Sequence, residues 1–136
     1  MKKLARLSTS ALVLFVVTAI CMFSASAAGG LDQSGSLTYP NTAVYTYNCV
    51  PSNGKNLSVT VYNQSTSTSN LKYTLTIYDP TTNQTATISP VSGISPGDQY
   101  NTTANNAAGL SLQLTVTLQN INPFTIDNYR VYISQS

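Results

Sequence analysis

The fold is decided by the stretch Leu110-Ser-Leu-Gln-Leu-Thr-Val-Thr-Leu118, in which five apolar residues alternate with polar ones. Successive side chains of a β-strand point to opposite faces, so this period of two predicts a strand with one buried and one exposed face. Strands of this kind are typical of antiparallel sheets.

Similar runs precede and follow this stretch. Residues 57–62 and 71–78 alternate clearly, and weaker strands are predicted at 44–50, 85–89, 99–104 and 128–134. Turn residues separate them, such as the Asp79-Pro80 and Pro96-Gly97 pairs. The sequence therefore predicts an all-β domain over residues 43–136, a single antiparallel β-sandwich of about seven strands without a substantial helix.

Three segments carry a family resemblance. Residues 56–65, then 73–79 and 94–98, resemble the extracellular Ig-like modules of bacterial and archaeal surface proteins, in which strands end in Asn-rich and Pro-Gly turns. The resemblance covers about residues 56–118 and implies an Ig-like sandwich. Such modules usually occur in tandem, whereas one stands alone here, which favours a free-standing surface protein or an assembling subunit.

The N-terminus has the pattern of a secretory signal peptide over residues 1–27. Lys2, Lys3 and Arg6 precede an apolar run at 11–23, and Ala25-Ser-Ala27 is a small-residue cleavage site. The run is shorter than the roughly 20 residues that cross a bilayer, so a retained anchor is the less favoured alternative. We expect a secreted protein, extracellular or at the cell surface, without a transmembrane anchor in the mature chain.

Residues 28–42 are rich in Gly and Ser and are predicted to form a flexible N-terminal arm. The alternative is that this arm adds a strand to a neighbouring subunit, because Leu37 and Tyr39 alternate with polar residues.

The composition excludes several classes of function. The sequence contains no His, Glu or Trp, and cleavage after Ala27 leaves three basic residues, four aspartates and one cysteine. A net charge of about −1 provides no basic patch, so nucleic-acid binding is excluded. The groups that most enzymes use for acid and base chemistry are missing, so we predict a protein that is not an enzyme and binds no cofactor.

Two aspartates and the cysteine are the candidate reactive groups. Asp98 and Asp127 are expected at the same end of the sandwich and could at best form a low-affinity calcium site; turn capping is the alternative for both. Cys49 could form an intermolecular disulfide, or it could be a buried free thiol on the strand face shared by Tyr45 and Tyr47.

The aromatic residues suggest a contact surface. The chain has nine tyrosines, and Phe124 is the one phenylalanine after residue 27. Tyr62 and Tyr78 occupy the polar faces of their strands and could contact a glycan or another protomer, although cross-strand packing with Thr and Val neighbours is the favoured alternative. The predicted contact surface comprises Leu37, Tyr39, Tyr62, Tyr78 and Phe124.

Ser, Thr, Asn and Gln make up nearly half of the residues after position 27. A surface of amides and hydroxyls lets subunits pack side by side with little charge repulsion. The sequence therefore predicts a non-enzymatic structural or assembly protein, a homo-oligomer or surface polymer such as a filament, coat or biofilm-matrix subunit. The alternative is a monomeric extracellular module that binds a polysaccharide or a protein, with Phe124, Asp98 and residues 65–69 as its contact patch.

Overall fold

The computed structural model describes residues 20–25 and 30–136, and for residues 20–25 it describes the backbone alone. Nine strands and a one-turn 3-10 helix at Pro51–Asn53 account for the regular structure of these residues. The strands are β1 (Ile20–Ala25), β2 (Leu31–Thr38), β3 (Thr42–Asn48), β4 (Asn56–Asn63), β5 (Leu71–Asp79), β6 (Gln84–Ile88), β7 (Gln99–Asn105), β8 (Gln113–Asn120) and β9 (Ile126–Gln135).

Strands β2 to β9 form two antiparallel sheets of four. Sheet A has the order β3-β8-β5-β6, with β1 added parallel to the outer edge of β3, and sheet B has the order β2-β9-β4-β7. The predicted all-β class and single antiparallel sandwich are confirmed.

The connectivity differs from that of an Ig-like domain. An immunoglobulin sandwich places its first two strands in one sheet, whereas β2 and β3 lie in different sheets here. Eight strands distributed over two sheets in this order form a jelly roll, the product of two Greek keys. The Asn-rich and Pro-Gly turns that suggested Ig-like modules occur in both folds, because both join short antiparallel strands.

The core lies between the inner faces of the two sheets, as the period of two predicts. Leu114, Val116 and Leu118 of β8 are buried in its centre, opposite Val61 of β4 and Val131 of β9. Strand β8 begins later than the apolar pattern indicates. Leu110 and Leu112 lie half-buried in the β7–β8 connection rather than within the strand, and Leu112 packs against the core.

Residues 28–42 differ most from expectation. The segment predicted to be a flexible arm contains β2, which pairs with β9 of the same chain from Leu31↔Ile133 to Thr38↔Ile126. Leu31 and Leu37 bury their side chains in the core. Gly35 favours this packing, because a Cβ atom at this position would lie 2.5 Å from the Tyr129 hydroxyl.

Tyrosines make up a large part of the core. Tyr45 and Tyr129 meet with their hydroxyl oxygens 2.6 Å apart and their rings edge to face. Tyr73 packs against Tyr100 with ring centroids 5.6 Å apart. Tyrosine thus fills the core volume that phenylalanine occupies in many sandwiches, and the hydroxyls of Tyr45, Tyr47 and Tyr129 find polar partners inside.

The antiparallel strands place the loops at two ends. The distal end carries residues 39–41, 64–70, 89–98 and 121–125, and the terminal end carries residues 49–55, 80–83 and 106–112 together with Gly30 and Ser136. Asp98 and Asp127 both lie at the distal end, as the sequence predicts.

Candidate functional site

The distal end exposes apolar side chains. Phe124 is 94% exposed and Val91 is fully exposed, both on loops. Of the eight large apolar side chains exposed in the described part of the chain, five belong to this apolar distal surface: Tyr39, Val91, Ile121, Phe124 and Ile126. Such a concentration at one end is typical of a contact surface rather than of scattered surface residues.

Buried amides hold the distal loops in place. The Asn63 amide donates to the carbonyls of Ser69 and Ile94, at 2.8 and 2.7 Å, and so joins the β4–β5 loop to the β6–β7 loop. The Asn120 amide donates to the carbonyls of Leu37 and Thr125, at 3.1 and 3.0 Å. These bonds fix the loop backbones that present the apolar distal surface.

A shallow cleft of about 460 Å³ opens beside this surface. Val91 and Ile121 form its apolar wall, and Lys72 and Asn70 border it. The cleft therefore combines two members of the apolar distal surface with a cationic side chain.

The two aspartates predicted for a metal site have different environments. Asp127 is fully buried and accepts hydrogen bonds from the Ser69 backbone and hydroxyl, at 3.1 and 2.8 Å. Asp98 is exposed beside the Gly97 turn. Asp127 therefore acts as a loop-anchoring group, and residues 30–136 contain no group of three or more acidic or cysteine side chains placed to hold a metal ion.

A second polar and aromatic surface lies on the outer face of sheet B. Arg130 makes a two-point ion pair with Asp32, through Nε at 2.8 Å and Nη2 at 2.6 Å. Tyr62 pairs with Arg130 across strands β4 and β9, and Tyr132 pairs with Asp32 across β9 and β2. The two half-exposed tyrosines and the ion pair form what we call the tyrosine face.

The ion pair shifts the pKa values of Asp32 and Arg130. The Arg130 guanidinium holds the pKa of Asp32 below its usual value, and Asp32 raises the pKa of Arg130. Asp79 has a similarly lowered pKa, because the hydroxyl of Thr82 and the backbone of Thr81 donate to it. Asp79 thus caps the turn that the Asp79-Pro80 pair predicts.

The predicted contact residues do not form one surface. Tyr39 and Phe124 belong to the apolar distal surface, whereas Leu37 is buried in the core. Tyr62 lies on the outer face of sheet B, and Tyr78 lies on sheet A, where its hydroxyl donates to Asn83. The proposed patch is thus divided among both sheets, one end and the interior.

Sequence reasoning missed Val91, Ile121 and Ile126. The signal that could have identified Val91 is its position in Pro90-Val-Ser-Gly93, where an apolar residue occupies a turn that water surrounds. It also missed the Asp32–Arg130 pair, because the pairing of β2 with β9 joins residues that are far apart in the sequence.

Cys49 is a free thiol with 3% of its surface exposed. Burial raises the pKa of the thiol to about 11, so little thiolate forms at neutral pH. This environment favours the buried-thiol interpretation over the intermolecular disulfide.

Among the described residues, no helix has the length and apolar character needed to cross a membrane.

Comparison with known proteins supports the fold alone. No family model matches the sequence, and no curated protein matches it significantly. The structure is similar to the pre-peptidase C-terminal domain of collagenase from Bacillus anthracis, with a TM-score of 0.50 and 15% identity over 84% of this chain and 97% of that domain.

Two further solved structures have lower scores. The lysozyme inhibitor PliG of Aeromonas hydrophila has a TM-score of 0.42 and 13% identity over 85% of this chain and 97% of its own. The surface-associated copper-binding protein CorA of Methylomicrobium album BG8 has a TM-score of 0.43 and 8% identity over 86% of this chain and 100% of its own.

Proposed function

We propose that the protein is a non-enzymatic extracellular or cell-surface protein that acts as a structural or assembly subunit, with residues 1–27 removed on secretion. The observation that carries this proposal is the apolar distal surface. Four of its five exposed side chains stand on loops that buried amides hold in place, and the fifth, Ile126, begins β9.

The scarcity of charge supports the same function. In the described residues one of the three cations, Arg130, is already paired with Asp32, so few free charges would repel a neighbouring copy. Apolar contacts between copies would then dominate assembly, and assembly would depend little on salt.

Electron microscopy and sedimentation of the secreted protein test the proposal. We expect polymers or higher oligomers from the unaltered protein and their loss in Phe124→Ser. Val50→Ser is the matched control, because Val50 is an exposed apolar residue at the terminal end. A protein that stays monomeric at the highest soluble concentration contradicts the assembly function.

Mass spectrometry of the secreted protein tests whether the signal peptide, residues 1–27, is removed. We expect a mature chain that begins at Ala28. A secreted protein that retains residues 20–25 would contradict the cleavage site.

The tyrosine face favours a second candidate function, a monomeric module that binds a polysaccharide. Tyr62 and Tyr132 offer flat apolar rings with polar tips, and the Arg130–Asp32 pair between them offers donors and acceptors for hydroxyl groups. A glycan array distinguishes the two functions. Saturable binding that Tyr62→Ala and Tyr132→Ala abolish, and Phe124→Ala leaves intact, supports the binding module.

A further inference from the structure

The edges of the two sheets differ in how they are occupied. Apart from β1, the edge strands are β3 and β6 in sheet A and β2 and β7 in sheet B. Within the described residues, β3 alone among these four has a further strand on its outer side, the parallel strand β1. The pairing of Ile20↔Thr42 through Ala25↔Tyr47 shows that the outer edge of β3 can accept a complete strand.

The sequence of β3 leaves this edge unprotected. Natural edge strands avoid pairing with other chains by being short or by carrying charges, prolines or bulges. Strand β6 has five residues and β2 carries Asp32, whereas the seven residues of β3 include no charge, proline or glycine. Strand β7 lacks these residues too, but within the described residues only the edge of β3 is shown to accept a further strand.

The direction of the free backbone groups follows from one hydrogen bond. The Cys49 N–H donates to the Leu112 carbonyl at 2.8 Å, continuing the ladder between β3 and β8. Because backbone groups alternate along a strand, Ala43, Tyr45 and Tyr47 also bond towards β8. The N–H and C=O groups of Thr42, Val44, Thr46 and Asn48 therefore point to the outer edge.

The proposed function includes the removal of residues 1–27 on secretion, and this removal would take β1 away from the β3 edge. Cleavage after Ala27 leaves three residues before β2, a reach of about 10 Å, while covering a six-residue strand takes about 20 Å. The remaining N-terminal segment is too short to replace β1, so the outward groups of β3 are left open to water and to a strand from outside the chain.

We propose that, once residues 1–27 are removed, the β3 edge pairs antiparallel with the β3 edge of a second copy about a two-fold axis. This interaction rests on the leader removal of the proposed function and does not use the apolar distal surface. The second copy fits because its edge is identical and uncharged, so that the two-fold contact brings no like charges together.

The alternation fixes the register. Outward-pointing residues must face one another, and an axis through Tyr45 pairs the whole strand, with Thr42 opposite Asn48 and Val44 opposite Thr46 of the second copy. The two four-stranded A sheets then become one continuous sheet of eight strands.

Sedimentation equilibrium of two chains tests this pairing. Residues 28–136 contain the complete described core, whose buried residues begin at Leu31. We expect a dimer for residues 28–136 and a monomer for residues 20–136, in which β1 occupies the edge. Thr46→Pro removes one outward N–H per copy, and we expect the dimer Kd to rise at least about tenfold. Thr46→Val retains that N–H and serves as the control.

A cross-linking experiment tests the register. Val44→Cys mixed with Thr46→Cys should give a disulfide-linked dimer, because directly opposed residues of this kind lie about 5.5 Å apart between Cα atoms. Neither variant alone should cross-link to itself, and buried Cys49 should not react.

Circular dichroism and denaturant unfolding check that every variant is folded, and Thr46→Lys replaces Thr46→Pro if the proline variant unfolds. A folded 28–136 chain that stays monomeric overturns the β3 pairing. Dimers of equal affinity for residues 28–136 and residues 20–136 show that the dimer does not use the β3 edge. Phe124→Ser should leave the dimer intact, so loss of polymers with a retained dimer separates the two proposals.

Discussion

Both ends of the sandwich use buried side-chain amides that donate to loop carbonyls, but these amides join two different segments only at the distal end, whereas at the terminal end they bond within one loop or tie a loop to a strand. At the distal end, Asn63 and Asn120 each bond to carbonyls of two different segments, while at the terminal end Asn106 bonds to Leu110 within its own loop and Gln135 bonds to the β3–β4 loop. The distal end alone combines these anchors with the apolar distal surface. Loops joined to one another can keep apolar side chains in water, because their backbones are not free to fold those side chains inwards.

The largest expected effect is at Asn120. Its side chain is fully buried, donates to the carbonyls of Leu37 and Thr125, and accepts from the Asn122 N–H. Asn120→Ala leaves these groups without a partner, and we expect a loss of about 3 kcal/mol in the free energy of unfolding, measured in urea. Asn105→Ala removes an exposed amide and should cost less than about 0.5 kcal/mol. A similar loss in both variants would contradict the anchoring role.

Gln135 provides the matching test at the terminal end. Its amide donates to Val50 and Gly54, both at 2.7 Å, and its oxygen accepts from the Val50 N–H. Because this loop is more open to water, we expect Gln135→Ala to cost about 2 kcal/mol. Hydrogen exchange should show faster opening of residues 49–55 and unchanged protection of the distal loops. If the distal loops open as well, the two ends are not independent.

Alkaline pH should weaken the core that both ends enclose. Burial raises the pKa of Cys49 to about 11 and that of Tyr73 to about 12, whereas the unfolded thiol and phenol ionise near about 8.5 and 10. The folded state thus holds its protons more tightly, so stability is complete below about pH 8.5 and falls as the pH rises towards 12. Urea midpoints at several pH values measure this fall.

Cys49→Ala sharpens the pH experiment. It should lower stability at pH 7 through a small cavity but give a shallower fall between about pH 9 and 11. If stability falls with pH as steeply in Cys49→Ala as in the unaltered protein, the whole loss of stability at alkaline pH comes from the tyrosines.

The smallest expected effect on stability is at Phe124. The side chain is 94% exposed, so Phe124→Ser should change the free energy of unfolding by less than about 0.5 kcal/mol while it abolishes the formation of polymers. A large loss of stability would mean that Phe124 packs against its own chain. The distal end would then lack this exposed apolar side chain and would differ less from the terminal end.

The sequence predicted the sandwich because alternation and turn residues are local signals. Residues 71–78 and 57–62 lie within β5 and β4 as expected, and the position of Asp98 and Asp127 at the same end follows from counting strands. The strand order is a different matter, since nothing local distinguishes a jelly roll from an Ig-like domain.

Strand β2 shows why the rest could not be predicted. Its Gly and Ser residues suit a flexible segment, and its structure comes from the β9 ladder and from the space that Gly35 leaves for Tyr129. The apolar distal surface was found only through Tyr39 and Phe124, because exposure in a loop depends on the packing of neighbouring loops.

The division of the tyrosines between core and surface has a practical consequence for chemical labelling. Tyr45, Tyr47, Tyr73 and Tyr129 are shielded from reagents, whereas Tyr39, Tyr62 and Tyr132 are open to nitration or iodination. The modified positions would therefore report separately on the distal end and on the outer face of sheet B. With no tryptophan in the chain, the shielded rings would also give an ultraviolet signal of unfolding from the core itself, without any engineered reporter.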